Sequence, residues 1–309
     1  MEISMKTFSE VATLWQQGKQ QYVKVSTMSV YRHQLSKHLL PHFGHMKRIG
    51  QNDVQRFAVQ LLHAGYKTSC IRGLLVLLRM IVHDGSRRGI FPYCDWKIVF
   101  PTYCQQAEKT QVMSIEHQRR LTIYLCQHIT NKNLGILISL STGMRIGELC
   151  ALQWKDIDMV SNTIHVNKTL ERIYDSEQRQ TRIIINTPKT SSSQREIPMT
   201  KDLRAILAMF CRFSCAEHYV LTNQSKPTEP RTYRRYFQKL LHQLGLPTLK
   251  FHGLRHSFAT RCIESKCDYK TVSAILGHAS LATTMDIYVH PDLMQKRRCI
   301  NKMYRGLRT

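Results

Sequence analysis

An apolar stripe with helical spacing constrains the fold of the first third of this chain. It lies between residues 68 and 87, and each of its five members lies three or four positions from another member: Ile71, Leu74, Leu75, Leu78 and Ile81. That spacing places all five on one face of an α-helix, which other apolar surfaces must cover. The stripe therefore predicts a helix that packs into the core of a helical domain.

Three further helices are predicted ahead of this one. The segment TFSE at residues 7–10 fits a capping box that opens a helix reaching about Lys19. Ser26 is a candidate N-cap for a second helix, which is expected to end by Pro41. Residues 52–63 form a third amphipathic segment. Four helices of this length are enough for a small all-α domain.

The sequence pattern changes near residue 105. We predict a helical domain over residues 1–105, a polar and aperiodic linker over residues 106–112, and a second domain over residues 113–309. The second domain ends in a basic tail over residues 292–309, in which apolar residues recur roughly as on an amphipathic helix. A chain of 309 residues is long enough for two separate cores.

The second domain mixes helices with short strands. Ser114 is expected to cap a helix that ends near His128, and the apolar stretch over residues 134–140 is followed by a tight turn at Gly143. Two later helices are expected over residues 201–212 and 230–244. Alternating or β-branched residues predict three short strands, over residues 163–168, 182–186 and 195–198. The predicted fold class is therefore mostly α with a small antiparallel sheet.

Six polar residues in five separate segments form a set that no structural core needs. They are Arg145 in TGMRIGEL, Lys189 in NTPKTSSSQREIP, His252 and Arg255 in FHGLRHSFATR, His278 in ILGHAS, and Tyr288 in TTMDIYVHP. Guanidiniums can bind phosphate oxygens bidentately, imidazoles and an ammonium can donate or move protons, and a phenol can be a nucleophile. Each residue alone has an ordinary structural explanation, so the joint pattern carries the prediction of phosphodiester chemistry.

Through these six residues, their order and their spacing, residues 113–290 resemble the tyrosine recombinase (phage integrase) family. The resemblance implies an all-α SAM-like core-binding domain followed by an α+β tyrosine recombinase catalytic domain. It also implies site-specific DNA recombination by two transesterifications. In the first, Tyr288 attacks the scissile phosphate, which forms a 3′-phosphotyrosyl bond and releases a 5′-hydroxyl. In the second, a 5′-hydroxyl of the partner duplex attacks that bond.

The resemblance also gives each of the other five residues a role. It assigns Arg145, Arg255 and His278 to the stabilisation of charge on the non-bridging phosphate oxygens. It assigns His252 to proton movement at the tyrosine. Lys189, on a polar turn between two strands, is then the acid that protonates the leaving 5′-oxygen.

Three neighbours of these residues have more than one interpretation. Glu148 lies one turn after Arg145, where the family commonly has an acidic residue, so it either supports Arg145 or forms an exposed i,i+3 pair. His256 lies near the same helical face as His252, and structural hydrogen bonding is its simpler role. Gly253 stands where the family often has an acidic residue, which removes a second partner for the histidine.

Other lysines and tyrosines fit the pattern less well. The competing residues are Lys168, Lys201, Tyr124, Tyr269 and Tyr304. Neither lysine lies in the polar turn that holds Lys189, and the three tyrosines precede or follow the segment after His278. Ser280 is expected to cap the helix that carries Tyr288.

The composition favours a polyanionic partner. The chain has 45 Lys plus Arg against 21 Asp plus Glu, for a formal net charge of +24. Residues 1–100 contribute 14 and 5 of these, so both parts of the chain are basic. Double-stranded DNA is the expected partner, and candidate contacts in the first domain are Lys24, Arg32, Lys67, Arg72 and Arg79. For any one of these five, a solvated surface position is the simpler explanation.

No metal ion and no nucleotide cofactor are expected. Arginine, lysine and histidine supply the positive charge, and the sequence has no Gly-rich phosphate loop of the GxxxxGK[ST] type. His252 and His256 have the i,i+4 spacing of zinc ligands, but the HExxH glutamate is missing and Arg255 lies beside them. The ten cysteines, such as Cys126 and Cys150 with apolar neighbours, are interpreted as reduced packing residues.

Location, assembly and biological role complete the expectations. The first residues lack an apolar signal core and no run approaches the ~18 apolar residues of a membrane span, which predicts a cytoplasmic protein away from the membrane. The resemblance implies a monomer without DNA and a homo-tetramer on synapsed DNA, with the tail either docked on a neighbour or packed on its own subunit. A mobile-element integrase, a Xer-type resolvase and an inversion recombinase all remain open. The rivals are a DNA-binding protein without strand exchange and a type IB topoisomerase.

Overall fold

The structure, a computed structural model, describes most of the chain. It covers residues 5–101, 111–175, 180–187, 193–278 and 280–282, with single positions 285, 297, 300, 301 and 303. The chain divides into two compact units, one with Met1–Glu108 and Arg172–Arg182, the other with Lys109–Glu171 and Ile183–Thr309. The predicted linker, residues 106–112, lies mostly outside the described residues, so the exact domain limits stay predictions.

The first unit is built from helices whose bounds follow the sequence closely. They are α1 (Phe8–Lys19), α2 (Val25–Gln34), α3 (Leu40–Phe43), α4 (Gln51–His63) and α5 (Thr68–Arg87), with a π-helical turn, Leu35–Leu39, between α2 and α3. The predicted capping box is confirmed, since the Thr7 amide donates to Glu10 Oε2 at 2.7 Å and the Glu10 amide donates to Thr7 Oγ1 at 3.4 Å. The helices predicted over residues 52–63 and 68–87 are confirmed as well.

The predicted N-cap of the second helix is wrong, and the continuous helical path that follows does not end by Pro41. Lys24 is the N-cap of α2, and Ser26 lies buried inside its first turn. At the other end, the helical path continues past Pro41 to Phe43. The π-helical turn explains this, because the Leu40 amide bonds five residues back to Leu35 and a new first turn follows. A proline in a first turn loses no intrahelical hydrogen bond.

The apolar stripe on α5 forms the centre of the first core. Four of its five members are at most 1% exposed: Ile71, Leu74, Leu78 and Ile81. Leu75 is only partly buried, and Leu77 takes a fully buried position instead. Each fully buried aliphatic side chain contributes roughly 1.5–3 kcal/mol, so this one helix supplies much of the stability of the unit.

The second unit combines seven helices of the described residues with short strands. The helices are α6 (Ile115–Gln127), α7 (Asn131–Thr142), α8 (Ile146–Cys150), α9 (Lys201–Cys211), α10 (Pro230–Gln243), α11 (His252–Glu264) and α12 (Tyr269–Leu276). Ser114 caps α6 as predicted, since its hydroxyl accepts from the His117 amide at 3.2 Å. The hydrophobic helix α7 is buried on nearly every side, so the other elements surround it.

The strands form two small antiparallel sheets. A 3-10 turn, Trp154–Asp156, leads into β1 (Ile157–Asp158), which is followed by β2 (Thr163–Val166), β3 (Thr169–Asp175), β4 (Gln180–Asn186) and β5 (Arg195–Pro198). One sheet has the order β1-β2-β5, with Ile164 opposite Ile197, and the other pairs β3 with β4. The prediction of mostly α structure with a small antiparallel sheet is confirmed.

The strand β3 was missing from the sequence prediction. Its buried residues, Leu170 and Ile173, lie three positions apart, so the two-residue alternation of a half-buried strand is absent. The predicted strand over residues 163–168 also ends early, at Val166.

Two further points concern membrane spans and the C-terminal tail. Within the residues that the structure describes, no helix is long and apolar enough to cross a membrane. Most of the tail over residues 292–309 lies outside the described residues, although Ile300 and Met303 are described as helical and exposed. Docking of the tail therefore stays a prediction.

Candidate active site

Arg145 is positioned by the turn that ends α7. Gly143 has a φ of 66°, and a Cβ at this position would lie 2.7 Å from side-chain atoms of both Leu276 and Phe258. Glycine is therefore required twice, by the left-handed backbone and by the close approach of two neighbours. Two residues later, Arg145 is the N-cap of the short helix α8. The predicted turn and its presentation of Arg145 at a helix start are confirmed.

Glu148 holds Arg145 from the first turn of α8. The carboxylate accepts from the Arg145 amide at 2.8 Å and from Arg145 Nη1 at 2.9 Å. The side chain of Glu148 is only 3% exposed, whereas that of Arg145 is 37% exposed. The alternative of an exposed surface pair is therefore wrong, and Glu148 supports Arg145 directly.

A third member of this group, Arg195, was not singled out in the sequence. It opens β5, its side chain is 6% exposed, and it binds Glu148 with Nη1 at 3.1 Å and Nη2 at 2.9 Å. The alternation of β5 contains a signal for it, because Arg195 shares the inward face of the strand with the buried Ile197. A charged residue on a core face must have a partner.

The two arginines determine the charge state of Glu148. Burial alone would raise the pKa of this carboxyl. The hydrogen bonds and charge of Arg195, followed by the charge of Arg145, outweigh burial, so the pKa of Glu148 is lowered. Glu148 is therefore a carboxylate at neutral pH.

Arg255 reaches the same place from α11. It is 1% exposed, and its guanidinium donates from Nη1 to the Gly143 carbonyl at 3.0 Å and from Nη2 to the Leu276 carbonyl at 2.7 Å. A buried guanidinium is tolerated only when such acceptors are in place. The residue thereby ties the turn after α7 to the end of α12.

The C-terminal end of α12 is where the three arginines meet. The hydrogen bonds run from Arg195 Nε to Ile275 O at 2.5 Å, from Arg255 Nη2 to Leu276 O at 2.7 Å, and from Arg145 Nη2 to Gly277 O at 3.1 Å. The last carbonyls of a helix lack intrahelical donors and carry the negative end of the helix dipole, so cations are stabilised there. Gly277, with a φ of 65°, ends the helix and His278 follows it directly.

Two histidines of the predicted set face these arginines, and both are neutral at pH 7. Burial, then the charges of Arg255 and Arg145, lower the pKa of His278 to about 4. Burial and the neighbouring His256, followed by the two arginines, lower the pKa of His252 to about 4. His252 and His256 pack edge to face with ring centroids 4.5 Å apart. A neutral imidazole offers one donor and one acceptor, which suits proton transfer.

Two of the six predicted residues, Lys189 and Tyr288, lie outside the described residues. Their predicted roles therefore stay predictions. The residue expected to cap the tyrosine's helix is described, and its hydroxyl behaves as a cap, since Ser280 Oγ accepts from the Ala282 amide at 3.2 Å.

The competing residues that are described are occupied elsewhere or exposed. Lys168 Nζ contacts Asp156 at 3.0 Å and Gln153 at 2.6 Å. Tyr124 stacks on His128 with ring centroids 4.3 Å apart. The other two, Lys201 and Tyr269, are exposed first residues of α9 and α12. Tyr304 lies outside the described residues.

Gly253 has a structural reason for lacking the acidic side chain common in the family. A Cβ there would lie 2.5 Å from Leu249 Cδ1 and 3.1 Å from the Gln111 carbonyl. A side chain at this position would therefore require the buried Leu249 to move, so the first turn of α11 is packed for glycine.

The five candidate DNA contacts of the first unit differ in their surroundings. Arg79 Nη2 donates to the Trp96 carbonyl at 2.9 Å, and the Arg72 guanidinium lies 5.3 Å from the centre of the Phe100 ring. These two arginines therefore hold the segment that follows α5. Of the others, Lys24 and Lys67 are N-caps of α2 and α5, and Arg32 donates to Gln20 at 3.4 Å.

The described part of the chain contains no group of three or more histidine, cysteine or acidic side chains that could hold a metal ion. The interpretation of cysteines as packing residues is right for Cys150, which is buried beside the core. It is wrong for Cys126, which is exposed on α6 because its neighbours Leu121 and Leu125 occupy the inward face.

The chain is similar to known proteins in both sequence and fold. The profile described as "Phage integrase family" matches residues 107–294, and that described as "Phage integrase, N-terminal SAM-like domain" matches residues 7–62. A "Tyrosine recombinase XerC-like" protein of Caldanaerobacter subterraneus subsp. tengcongensis is 26% identical over 81% of this chain and 69% of its own. The "ICEBs1 integrase" of Bacillus subtilis is 24% identical over 83% of this chain and 71% of its own.

Solved structures share the fold at low identity. The Tn1549 transposon integrase in complex with circular intermediate DNA superposes with a TM-score of 0.79 at 20% identity, over 96% of this chain and all of that one. The lambda integrase tetramer bound to a Holliday junction gives a TM-score of 0.64 at 15% identity, over 94% of this chain and 80% of that one.

Proposed function

This chain belongs to the phage integrase family of tyrosine-type site-specific DNA recombinases, and we propose that it cleaves and rejoins double-stranded DNA through a 3′-phosphotyrosyl intermediate on Tyr288. The observation that carries the proposal is the convergence of Arg145, Arg255, His252 and His278 around the end of α12. Four residues from three separate segments of the sequence meet there, as binding of one phosphate requires.

The two arginines supply the electrostatic part of the reaction. In the proposed reaction Arg145 and Arg255 hold the non-bridging oxygens of the scissile phosphate, and His278 adds a neutral N–H donor. Their partners are backbone carbonyls and one buried carboxylate, so the guanidiniums need little rearrangement when charge develops on the phosphate. Preorganised donors of this kind are the main source of rate enhancement in phosphoryl transfer.

Proton transfer completes each step. The Tyr288 hydroxyl loses its proton to His252 as its oxygen bonds to phosphorus, and Lys189 gives a proton to the 5′-oxygen that leaves. The lowered pKa keeps the His252 imidazole neutral at pH 7, so one ring nitrogen can accept a proton, but a pKa of about 4 also makes it a weak base. The second transesterification reverses these transfers and regenerates the free tyrosine.

The proposed biological role is the integration and excision of a mobile element. It is supported by similarity to the ICEBs1 integrase and to the transposase from transposon Tn916 of Enterococcus faecalis, which is 25% identical over 82% of this chain and 67% of its own. The similarity to a XerC-like recombinase supports a second candidate, a resolvase of the Xer type. Sequencing the DNA beside the gene separates the two, since attachment-site repeats are expected only for a mobile element.

The proposed partner is double-stranded DNA in the cytoplasm, bound by a monomer that assembles into a homo-tetramer on two synapsed sites. The net charge of +24 supports DNA as the partner. The lambda integrase of the same fold, which forms a tetramer on a Holliday junction, supports the tetramer.

Substitution of Tyr288 by phenylalanine tests the proposal. The substrate is a nicked suicide duplex that carries a site selected by the protein from random-sequence DNA. Wild-type protein is expected to form a covalent adduct on a denaturing gel, at the same rate in excess EDTA, because protein side chains neutralise the phosphate. Tyr288→Phe should form none while its DNA affinity stays within about threefold, since the hydroxyl contributes little to binding. An adduct in the mutant contradicts the assignment of the nucleophile.

A further inference from the structure

We infer that Arg195, which lies outside the six-residue set, is a positioning residue that fixes the guanidinium of Arg145 through the carboxylate of Glu148. The inference rests on the proposed function, because it takes Arg145 to be the residue that contacts the phosphate. It concerns how that contact is prepared before DNA arrives.

The hydrogen bonds of Glu148 carry the first step of the argument. Oε1 accepts from Arg145 Nη1 at 2.9 Å and from Arg195 Nη1 at 3.1 Å. Oε2 accepts from the Arg145 amide at 2.8 Å and from Arg195 Nη2 at 2.9 Å. A carboxylate has about four lone-pair sites, so these four donors fill it. Without Arg195, half of the bonds that orient the carboxylate are lost, and the Arg145 guanidinium is held by a group that only the Arg145 amide still fixes.

The second step is the position of Arg195 itself. Its Nε donates to the Ile275 carbonyl at 2.5 Å and its Nη1 also donates to the Ser193 carbonyl at 3.1 Å. One guanidinium therefore joins the carboxylate that holds Arg145 to the end of α12, which leads into His278. The residue fixes the distance between two groups that are proposed to act on one phosphate.

The third step concerns why a charge is buried here at all. The side chains of Arg195 and Glu148 are 6% and 3% exposed. A buried ion pair gives little net stability, because well-packed apolar residues of similar volume are often as stable or more so. What the pair provides is a defined geometry for Arg145, which an apolar pair cannot give.

The test uses Arg195→Gln and Arg195→Lys, each made in the wild-type protein and in Arg145→Ala. The reaction is single-turnover adduct formation on the selected suicide duplex, and half-site affinity is measured by fluorescence anisotropy at fixed salt. Arg195→Gln is expected to lower the rate on the order of 10- to 100-fold, while the dissociation constant changes less than about threefold. Arg195→Lys should recover part of the rate, since one ammonium can still pair with one carboxylate oxygen.

The double mutants distinguish positioning from general support of the fold. If Arg195 acts through Arg145, adding Arg195→Gln to Arg145→Ala should lower the rate of adduct formation less than about threefold. Arg261→Gln is the matched control, because Arg261 is a partly buried arginine of the same unit that donates to the Met113 carbonyl at 2.8 Å. It should lower the melting temperature without this loss of rate.

Two results would overturn the inference. One is an equal fractional loss of rate in both backgrounds, measured with Arg195→Lys if the glutamine variant does not fold. The other is an Arg195→Gln rate no lower than that of Arg261→Gln. Failure of the proposed function is recognised separately, since wild-type protein would then form no adduct, and the inference would fall with it.

Discussion

The two units of this chain use arginine in different ways. In the second unit Arg255 is 1% exposed and the Arg195 side chain is 6% exposed, and both bind carbonyls or a buried carboxylate. In the first unit Arg56 pairs with Asp53 at 3.0 Å, but its side chain is 73% exposed. A buried guanidinium has its geometry fixed by the fold, whereas an exposed one contributes charge. Burial and bound acceptors therefore mark the arginines whose geometry is set before DNA binds.

The largest expected effect is on the cleavage rate after loss of an arginine of the candidate active site. Arg145→Ala or Arg255→Ala should lower adduct formation on the order of 10² to 10⁴-fold, because each removes a preorganised positive group from the transition state. The measurement is single-turnover cleavage of the suicide duplex. Arg56→Ala, which removes the same charge from the first unit, should stay within about threefold, as expected for an exposed pair. If Arg145→Ala or Arg255→Ala lowers the cleavage rate less than tenfold, the arginine replaced does not belong to the site.

The second expected effect is on stability, and it compares a fully buried carboxylate with a partly exposed one. Glu148→Gln leaves two arginines without their counter-ion and should cost about 3 kcal/mol in the free energy of unfolding. Asp53→Asn, at the partner of Arg56, should cost less than about 1 kcal/mol.

The two units can be followed separately by fluorescence, because the chain has three tryptophans. Replacing Trp15 and Trp96 by phenylalanine leaves Trp154, which lies in the second unit. Urea denaturation of this background, with and without Glu148→Gln, measures the second unit. The converse background, Trp154→Phe, keeps Trp15 and Trp96 and measures the first unit with and without Asp53→Asn. Equal costs for Glu148→Gln and Asp53→Asn would show that burial of a carboxylate does not determine how much its ion pair matters to stability.

The smallest expected effect is on the pH dependence of stability in the second unit. The folded pKa values of His278 and His252 are about 4, below the unfolded value of 6.5. Their stabilisation is therefore complete above pH 6.5 and is lost as the pH falls from 6.5 towards 4, because the unfolded chain binds protons first. A single group can contribute at most about 1.4 kcal/mol per pH unit, and His252, the more solvent-accessible of the two histidines, contributes less than His278.

The measurement is denaturation of the Trp154 reporter protein between pH 7.5 and 5. His278→Asn should flatten the dependence, since asparagine does not titrate in this range. A stability that rises on acidification would contradict the direction of both pKa shifts.

Elements with strong local signals could be predicted from the sequence. The bounds of α5 follow from its apolar period, and those of α1 and α6 follow from capping residues that act within three positions. The turn at Gly143 and the contact of Glu148 with Arg145 are also local, so they too could be predicted.

The features that could not be predicted from the sequence depend on partners distant in the sequence or on rare backbone geometry. Arg195 binds Glu148, 47 residues away, and no periodicity signals such a pairing. The burial pattern of β3 does not alternate, and the strand that pairs with it, β4, is a separate segment of the chain. The π-helical turn that lets α3 continue past Pro41 has no sequence signal of its own.

The shared carboxylate of Glu148 limits how this sequence can drift. If Glu148 were replaced first, Arg195 would remain in the interior without its carboxylate partner. If Arg195 were replaced first, the buried carboxylate of Glu148 would keep only one of its two arginines. Either intermediate loses about 3–5 kcal/mol, a large part of the stability of an ordinary domain. We therefore expect the two positions to be inherited as a pair, so that among diverged descendants a change in α8 at residue 148 is accompanied by a change at the start of β5.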